Sequence, residues 1–317
     1  MLINIAILAA GFVILYYGAE WLVRGSSNIS YILGVNPVII GLTIVAFGTS
    51  LPELMVCLVA MFRESNDIAV GNIIGSNIAN IGLVLATGAF LFPITIQRRT
   101  SRRDIPIMLL FLFVLVGMSL DGLLGMVDGF ILFSALIAFT WFCVRTASAD
   151  EEEAKEVAKE AEDFLDKRKS LRFEMFMTAI GISGVLIGAY LLVESATSIA
   201  RALHISEMVI GMTVVAVGTS LPELATTVVA AFRKHSDIAV GNVIGSNIFN
   251  VGSVMGLTAL AYPISIAPET LRWEMMVMIA FSLAIIPSAV MGKMGRASGG
   301  IILTFYFLFI LRQAGMY

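Results

Sequence analysis

Apolar residues run along this chain in long blocks, not in the alternation of barrel strands or the one-sided stripe of a soluble helix. Ten blocks span about 2–23, 36–62, 69–92, 105–120, 125–145, 172–195, 206–232, 239–262, 272–290 and 299–313. Crossing a bilayer as a helix takes roughly 20 apolar residues, and most blocks approach that length. Several are interrupted by Gly, Pro or Ser, which membrane helices tolerate where protein or a cavity re-satisfies the backbone. Alternating segments of about ten residues, the mark of a membrane barrel, are absent. The pattern predicts an all-α integral membrane protein with ten transmembrane helices. One strongly polar stretch, residues 146–171, separates the fifth block from the sixth. Its acids and bases fall three or four apart, as in Glu151/Lys155 and Glu156/Lys159, and read as a solvated helical linker. It lacks the Asp-x-Asp-x-Asp-Gly order of a calcium-binding loop.

Composition sharpens this reading. Of 317 residues, 58% are hydrophobic and 14% charged, with a mean hydropathy of +0.94; soluble chains carry about 25% charged residues. A net charge of −3 offers no field for nucleic acid, so function must lie in local charges. No basic residue precedes the first block, so insertion through the first helix is expected in place of a cleaved signal. The two cysteines, Cys57 and Cys143, sit in apolar blocks without metal-ligand spacing and read as small buried residues.

The chain repeats itself. Gly48-Thr49-Ser50-Leu51-Pro52-Glu53-Leu54 recurs letter for letter as Gly218-Thr219-Ser220-Leu221-Pro222-Glu223-Leu224, 170 residues later. At that offset Ile40–Gly82 and Ile210–Gly252 agree at 29 of 43 positions. The chain therefore divides into a five-helix repeat over 1–145, with its core at 36–92, and a second over 172–317, with its core at 206–262. Five is odd, so the second copy enters from the opposite face and the halves are inverted. This is an architecture of alternating-access transporters, with the site near the midplane. Basic residues orient the chain. With both termini outside, sixteen Lys and Arg fall inside and four (Arg63, Arg201, Arg272, Arg312) outside, which puts the linker in the cytoplasm of a multi-pass plasma-membrane protein.

The repeated motif has a physical logic. Gly48 weakens its helix, and Pro52 has no N–H for the carbonyl of Gly48 four residues back. Thr49 and Ser50 offer hydroxyls that could cap the restarted helix, and Glu53 lies in its first turn, where the dipole favours a carboxylate. Gly218, Thr219, Ser220, Pro222 and Glu223 repeat the set. A carboxylate deep in an apolar block marks function by default. Ser76 and Asn80, four apart, share a helix face, as do Ser246 and Asn250, with Gly75 and Gly245 expected to loosen the backbone beside them. Carboxylate, hydroxyl, amide and carbonyl oxygens suit hard cations. Taken singly, such Ser, Thr and Gly residues are also ordinary packing elements. Asn72, Asn77, Asn242 and Asn247 read equally as interhelical hydrogen-bond partners, and Asp67 and Asp237 as helix-end residues.

The doubled Gly-Thr-Ser-Leu-Pro-Glu and Gly-Asn-x-Ile-Gly-Ser-Asn-Ile stretches resemble the α-repeats of the sodium/calcium exchanger family, in its compact prokaryotic form. The resemblance implies an antiporter that exchanges Na⁺ for Ca²⁺ by alternating access, with no cofactor and no obligate protein partner beyond membrane lipid. By position it implies ion ligands at Thr49, Ser50, Glu53, Ser76 and Asn80, and at Thr219, Ser220, Glu223, Ser246 and Asn250. The carbonyls of Ala46 and Ala216 join them by resemblance, where backbone reasoning alone points to Gly48. Some relatives carry Asp where this chain has Asn250, which lowers the maximum charge of the site. The resemblance also implies that the first and sixth helices slide across the rest, with Gly11, Gly18, Gly181, Gly184 and Gly188 allowing close packing.

Rival readings differ in what they require. A proton/calcium antiporter of the same superfamily tends to carry an acid shortly after the Gly-Asn pair, whereas Gly71-Asn72 is followed by Ile73-Ile74-Gly75-Ser76. Potassium-dependent coupling would keep the same site. A channel needs a continuous pore and uncoupled flux. An ATP-driven pump needs a phosphate-binding loop that the chain lacks. The only histidines, His204 and His235, lie near block ends, without the spacing of an intramembrane metalloprotease, so no enzyme is expected.

Overall fold

The computed structural model describes residues 2–62, 66–146, 170–202 and 218–313. The linker residues 147–169 and residues 203–217, which include His204 and, in the first half of the seventh block, Ala216, lie outside the described residues. Among the described residues the regular elements are helices, apart from four two-residue strands. Its elements are α1 (Leu2–Leu33), α2 (Pro37–Thr49), α3 (Leu51–Phe62), α4 (Asn66–Leu91), β1 (Ile94–Thr95), α5 (Thr100–Asp121) and β2 (Leu123–Leu124). There follow α6 (Met126–Thr146), α7 (Leu171–Ala202), α8 (Leu221–Phe232), α9 (Ser236–Ala261), β3 (Ile264–Ser265), α10 (Pro268–Val290), β4 (Lys293–Met294) and α11 (Arg296–Gln313). Seven helices are long and apolar enough to cross a membrane, and an eighth span arises if the bent pair α2–α3 is counted as one.

Two helices form the centre. In α4 and α9, 78% and 89% of the most apolar stretch is buried, against 33% in α1 and α7. The outer helices turn Phe12, Tyr17, Trp141, Phe176 and Tyr190 outward, as lipid contact requires. Helix α1 runs ten residues past the expected end at Val23. The extension Arg24–Leu33 looks polar in sequence, yet Ser26, Ser27 and Ser30 are buried. The Ser30 hydroxyl donates to the Ser27 carbonyl at 2.6 Å, a bond spent on the helix itself, and the Ser27 hydroxyl lies 3.4 Å from His235 Nδ1. Helices α5, α7 and α10 likewise extend beyond the apolar blocks that mark them.

Contacts recur at positions 170 residues apart. Strand β1 pairs antiparallel with β4 (Ile94 opposite Met294), and β2 with β3 (Leu124 opposite Ile264). The Ile96 N–H donates to the Gly292 carbonyl at 2.8 Å, and the Ile266 N–H to that of Gly122 at 2.9 Å. Gly122 and Gly292 both hold left-handed backbone, φ +82° and +71°, open to glycine at little cost. Helix α6 packs on the end of α9 and α11 on the end of α4. A methyl group on Gly129 would meet the Gly256 carbonyl, and one on Gly299 the Ala86 carbonyl, at 2.6 and 2.7 Å.

Helices α1 and α7 form a pair of their own. A methyl group on Gly18 would lie 2.5 Å from the Val185 nitrogen, and one on Gly188 2.5 Å from the Leu15 nitrogen. The small residues expected to ease sliding over the rest therefore sit between these two helices. Such small-residue seams let backbones approach closely; here they fasten α1 to α7. Against the rest of the protein the pair presents larger groups, Ile182 on Gly48 and Val193 on Gly218.

Candidate functional site

The repeated motif breaks its helix as expected. Between α2 and α3 the axis bends by 41° at Ser50, whose φ/ψ is −84°/5°. Ser220 repeats the conformation at −89°/3°. Pro52 and Pro222 fall in the first turn of the restarted helix, where a missing N–H costs nothing. Glu53 and Glu223 follow in the same turn, buried to 1% and 0% exposure. The expectation that hydroxyls cap these helices is corrected. Ser220 makes no side-chain cap bond, and the Ser50 hydroxyl donates to the Glu223 carboxylate at 3.4 Å. A cap would accept from a backbone N–H of the first turn, and Pro52 and Pro222 remove one of those donors.

Residues from the two halves meet here. The Thr49 hydroxyl stands 3.2 Å from Asn242 Oδ1, 3.3 Å from the Ala46 carbonyl and 3.5 Å from the Ser246 hydroxyl. Ser76 hydrogen-bonds the Glu53 carboxylate, and the two glutamates feel each other's charge. The Asn80 amide donates to Asn247 Oδ1 at 2.9 Å. One oxygen each of Glu53 and Glu223, the Ser220 hydroxyl, Asn80 Oδ1 and both polar atoms of Asn250 are buried with no hydrogen-bond partner. Thr219 is half-buried on the turn beside Ser220. Of the residues named from sequence, Ala46, Thr49, Ser50, Glu53, Ser76, Asn80, Glu223 and Ser246 join this contact network, while Ser220 and Asn250 are buried without partners.

Two carboxylates sharing a dry interior repel strongly, because unit charges at low dielectric interact over several ångströms. Among the described residues no group of three or more His, Cys, Asp and Glu could hold a metal. A cation neutralising this pair would therefore complete its shell with hydroxyl, amide and carbonyl oxygens, the donor set of a hard ion.

The backbone has a feature that no sequence rule announces. Helix α4 passes from α to π geometry at Asn80–Leu85, and α9 does so at Asn250–Met255. Such wide turns are frequent at functional sites. Gly75 and Gly245 do not loosen the helix: α geometry continues through both to Ala79 and Phe249. Gly245 serves instead for close approach, since a methyl group there would meet the Leu42 carbonyl at 2.7 Å.

Asn72 and Asn242 carry more than helix association. The Asn72 amide donates to the Glu53 carbonyl and to Cys57 Sγ, both at 3.2 Å. The Asn242 amide donates to the Glu223 carbonyl at 3.5 Å and to the Thr227 hydroxyl at 3.1 Å. Cys57 is thus buried but engaged, and it also contacts the Ala69 carbonyl at 3.5 Å. Three further buried carboxylates went unread in the sequence, Asp104 of α5, Glu174 of α7 and, at 4% exposure, Glu20 of α1. Two nitrogens of Arg233 grip it at 2.6 and 2.8 Å. An acid within the first apolar block was the available signal.

Comparison with known proteins agrees with this construction. The profile of the family described as "Sodium/calcium exchanger protein" matches residues 3–145 and again 173–315. Membrane protein MJ0091 of Methanocaldococcus jannaschii is 36% identical over 98% of both chains. Sodium/calcium exchanger MaX1 of Methanosarcina acetivorans is 34% identical, also over 98% of both. The solved sodium-calcium exchanger NCX_Mj, soaked without Na⁺ and Ca²⁺, superposes with a TM-score of 0.85 at 35% identity, over 97% of this chain and 98% of that one. With a profile matched twice and relatives aligned end to end, the chain belongs to the sodium/calcium exchanger protein family of membrane antiporters.

Proposed function

We propose that this chain exchanges Na⁺ for Ca²⁺ by alternating access, through a site built from Ala46, Thr49, Ser50, Glu53, Ser76 and Asn80 of one half and Ala216, Thr219, Ser220, Glu223, Ser246 and Asn250 of the other. One observation carries the reading: two buried glutamates, one per half, each with an unpartnered carboxylate oxygen, where Thr49 and Ser50 of the first half meet Asn242 and Glu223 of the second. Two negative charges match one Ca²⁺, and several Na⁺ can replace it on the same oxygens. The matched family ranges, 3–145 and 173–315, and the reciprocal strand pairs support two inverted five-helix repeats making ten spans. Coupling to Na⁺ is supported by the name of the Methanosarcina relative and by the neutral Ile73-Ile74 after Asn72.

The test is ⁴⁵Ca²⁺ uptake into proteoliposomes driven by outward Na⁺, K⁺ or H⁺ gradients in turn. Uptake on the Na⁺ gradient alone is expected; uptake on the H⁺ gradient without Na⁺ makes the chain a proton/calcium antiporter. Glu53→Gln and Glu223→Gln should each abolish exchange while the purified protein stays monodisperse, and substantial transport by either rejects the site. The orientation proposed from the basic residues, with termini outside and 146–171 in the cytoplasm of a plasma-membrane protein, predicts that single cysteines at Ser148 and Tyr317 label from opposite faces.

A further inference from the structure

The Asn242 side chain links a carboxylate-bearing helix of one half to a hydroxyl of the other, and its orientation is dictated. An amide has one donor end and one acceptor end, told apart by what surrounds them. The Glu223 carbonyl can only accept, so the nitrogen faces it at 3.5 Å, with the Thr227 hydroxyl as a second acceptor at 3.1 Å. Oδ1 then faces the Thr49 hydroxyl at 3.2 Å and must receive its proton.

That proton has a competing destination. The Thr49 hydroxyl also lies 3.3 Å from the Ala46 carbonyl and beside the Glu223 carboxylate, whose oxygens belong to the cation when one is bound, and it carries a single hydrogen. The Ala46 carbonyl has two lone pairs, of which the Ser50 N–H, 3.0 Å away, takes one. If Thr49 donates to Ala46, the second lone pair is spent and the carbonyl is closed to an ion. If Thr49 donates to Asn242, the Ala46 carbonyl keeps a free lone pair.

We propose that Asn242 is a positioning residue, which draws the Thr49 proton away from the Ala46 carbonyl and so holds that oxygen open for the cation. The inference rests on the ion-site reading above. The amide itself touches no ion; the Glu223 carbonyl orients it, and it orients Thr49 across the boundary between the halves.

The experiment is a double-mutant cycle on the full chain, reading the half-saturation for ⁴⁵Ca²⁺ and the maximal exchange rate separately. Asn242→Ala lets Thr49 fall back on Ala46 and should raise the half-saturation about ten-fold, the order of one lost ligand interaction. In a Thr49→Val background there is no hydroxyl to redirect, and the same substitution should change it less than about two-fold. Thr49→Ser, which keeps the hydroxyl, should restore the sensitivity to Asn242→Ala. Should Asn242→Ala fail to fold, Thr227→Val removes the amide's second acceptor at constant shape. It should raise the half-saturation about three-fold, again only where residue 49 has a hydroxyl. Equal fold-changes in both backgrounds, or an unchanged half-saturation in the folded variants, overturn the proposal. Glu223→Gln separates the two levels: loss of exchange there with an additive cycle defeats the Asn242 role alone, whereas exchange surviving Glu223→Gln defeats the ion-site reading itself.

Discussion

A methyl group placed on Gly181 would lie 2.4 Å from the Leu22 nitrogen and 2.7 Å from its Cα. Both are backbone atoms and cannot rotate aside, and ordinary contact begins at 3.4 Å. Gly181→Ala therefore forces α1 and α7 apart by about 1 Å, in a seam where overpacking typically costs about 1–3 kcal/mol. Gly11 is the matching position of the other half, yet its added methyl would meet its nearest neighbours at 3.2 Å, two of them side-chain atoms of Leu191 and Leu192. Those can yield a few tenths of an ångström, so Gly11→Ala should cost less than about 0.5 kcal/mol. Thermal unfolding of the two purified variants in detergent, followed by size-exclusion of the surviving fraction, measures the difference. Gly181→Ala should melt well below Gly11→Ala, with a folded-to-unfolded ratio lower by about ten-fold or more. A third variant, Gly48→Ala, probes where the pair meets the rest of the protein. Its methyl would press the Ile182 Cδ1 tip at 2.7 Å, a movable group, so exchange rate should suffer before stability. Equal melting of Gly181→Ala and Gly11→Ala would refute the idea that the glycine seam fastens α1 to α7.

Other outcomes follow from groups outside the candidate site. Arg233→Ala strands the buried Glu20 with Arg24 alone, 3.6 Å away on a largely exposed side chain. It should cost about 2–3 kcal/mol, reduced from the fully buried case because Arg233 is itself 41% exposed. Glu20→Gln should cost less, and denaturation of both and of the double variant checks the order. His235, between α8 and α9, is held below the ordinary imidazole value by burial. The unfolded chain therefore takes up this proton first, and stability should fall as pH drops below 6.5 through the lowered value. His235→Gln should flatten that slope in melting curves taken from pH 7.5 to 5, and an unchanged slope removes His235 as its source.

Hydropathy made the spans legible, and letter-for-letter repetition made the glutamates legible, because a desolvated acid among Leu and Val has few structural excuses. It was blind to polar residues buried in protein. Ser26, Ser27 and Ser30 read as the end of α1, although all three are buried along a continuing helix, Ser30 bonded back onto it and Ser27 beside His235. Glu20 escaped notice because its partner, Arg233, is 213 positions away and no local pattern joins them. The π-turns at Asn80 and Asn250 were invisible for a different reason: a widened turn is settled by which carbonyls find partners in three dimensions. The glycines were recognised as packing residues, but which surface they face depends on helix rotation, and only the structure shows α1 and α7 turned toward each other.

The ionic grip on α1 has no twin among the described residues. The position 170 residues after Glu20 is Tyr190, an exposed side chain without charge at neutral pH. In the proposed alternating-access cycle, the arrangement that keeps Glu20 and Arg233 together is thus favoured over its mirror image by an interaction not seen at the mirror position, Tyr190. Microscopic reversibility forbids such a one-sided bolt from biasing where ions finally accumulate, since gradients alone decide that. It sets instead how long the resting carrier waits with each door shut. Half-saturation for the same ion should consequently differ between the two membrane faces, even though the ligands that greet it are near copies.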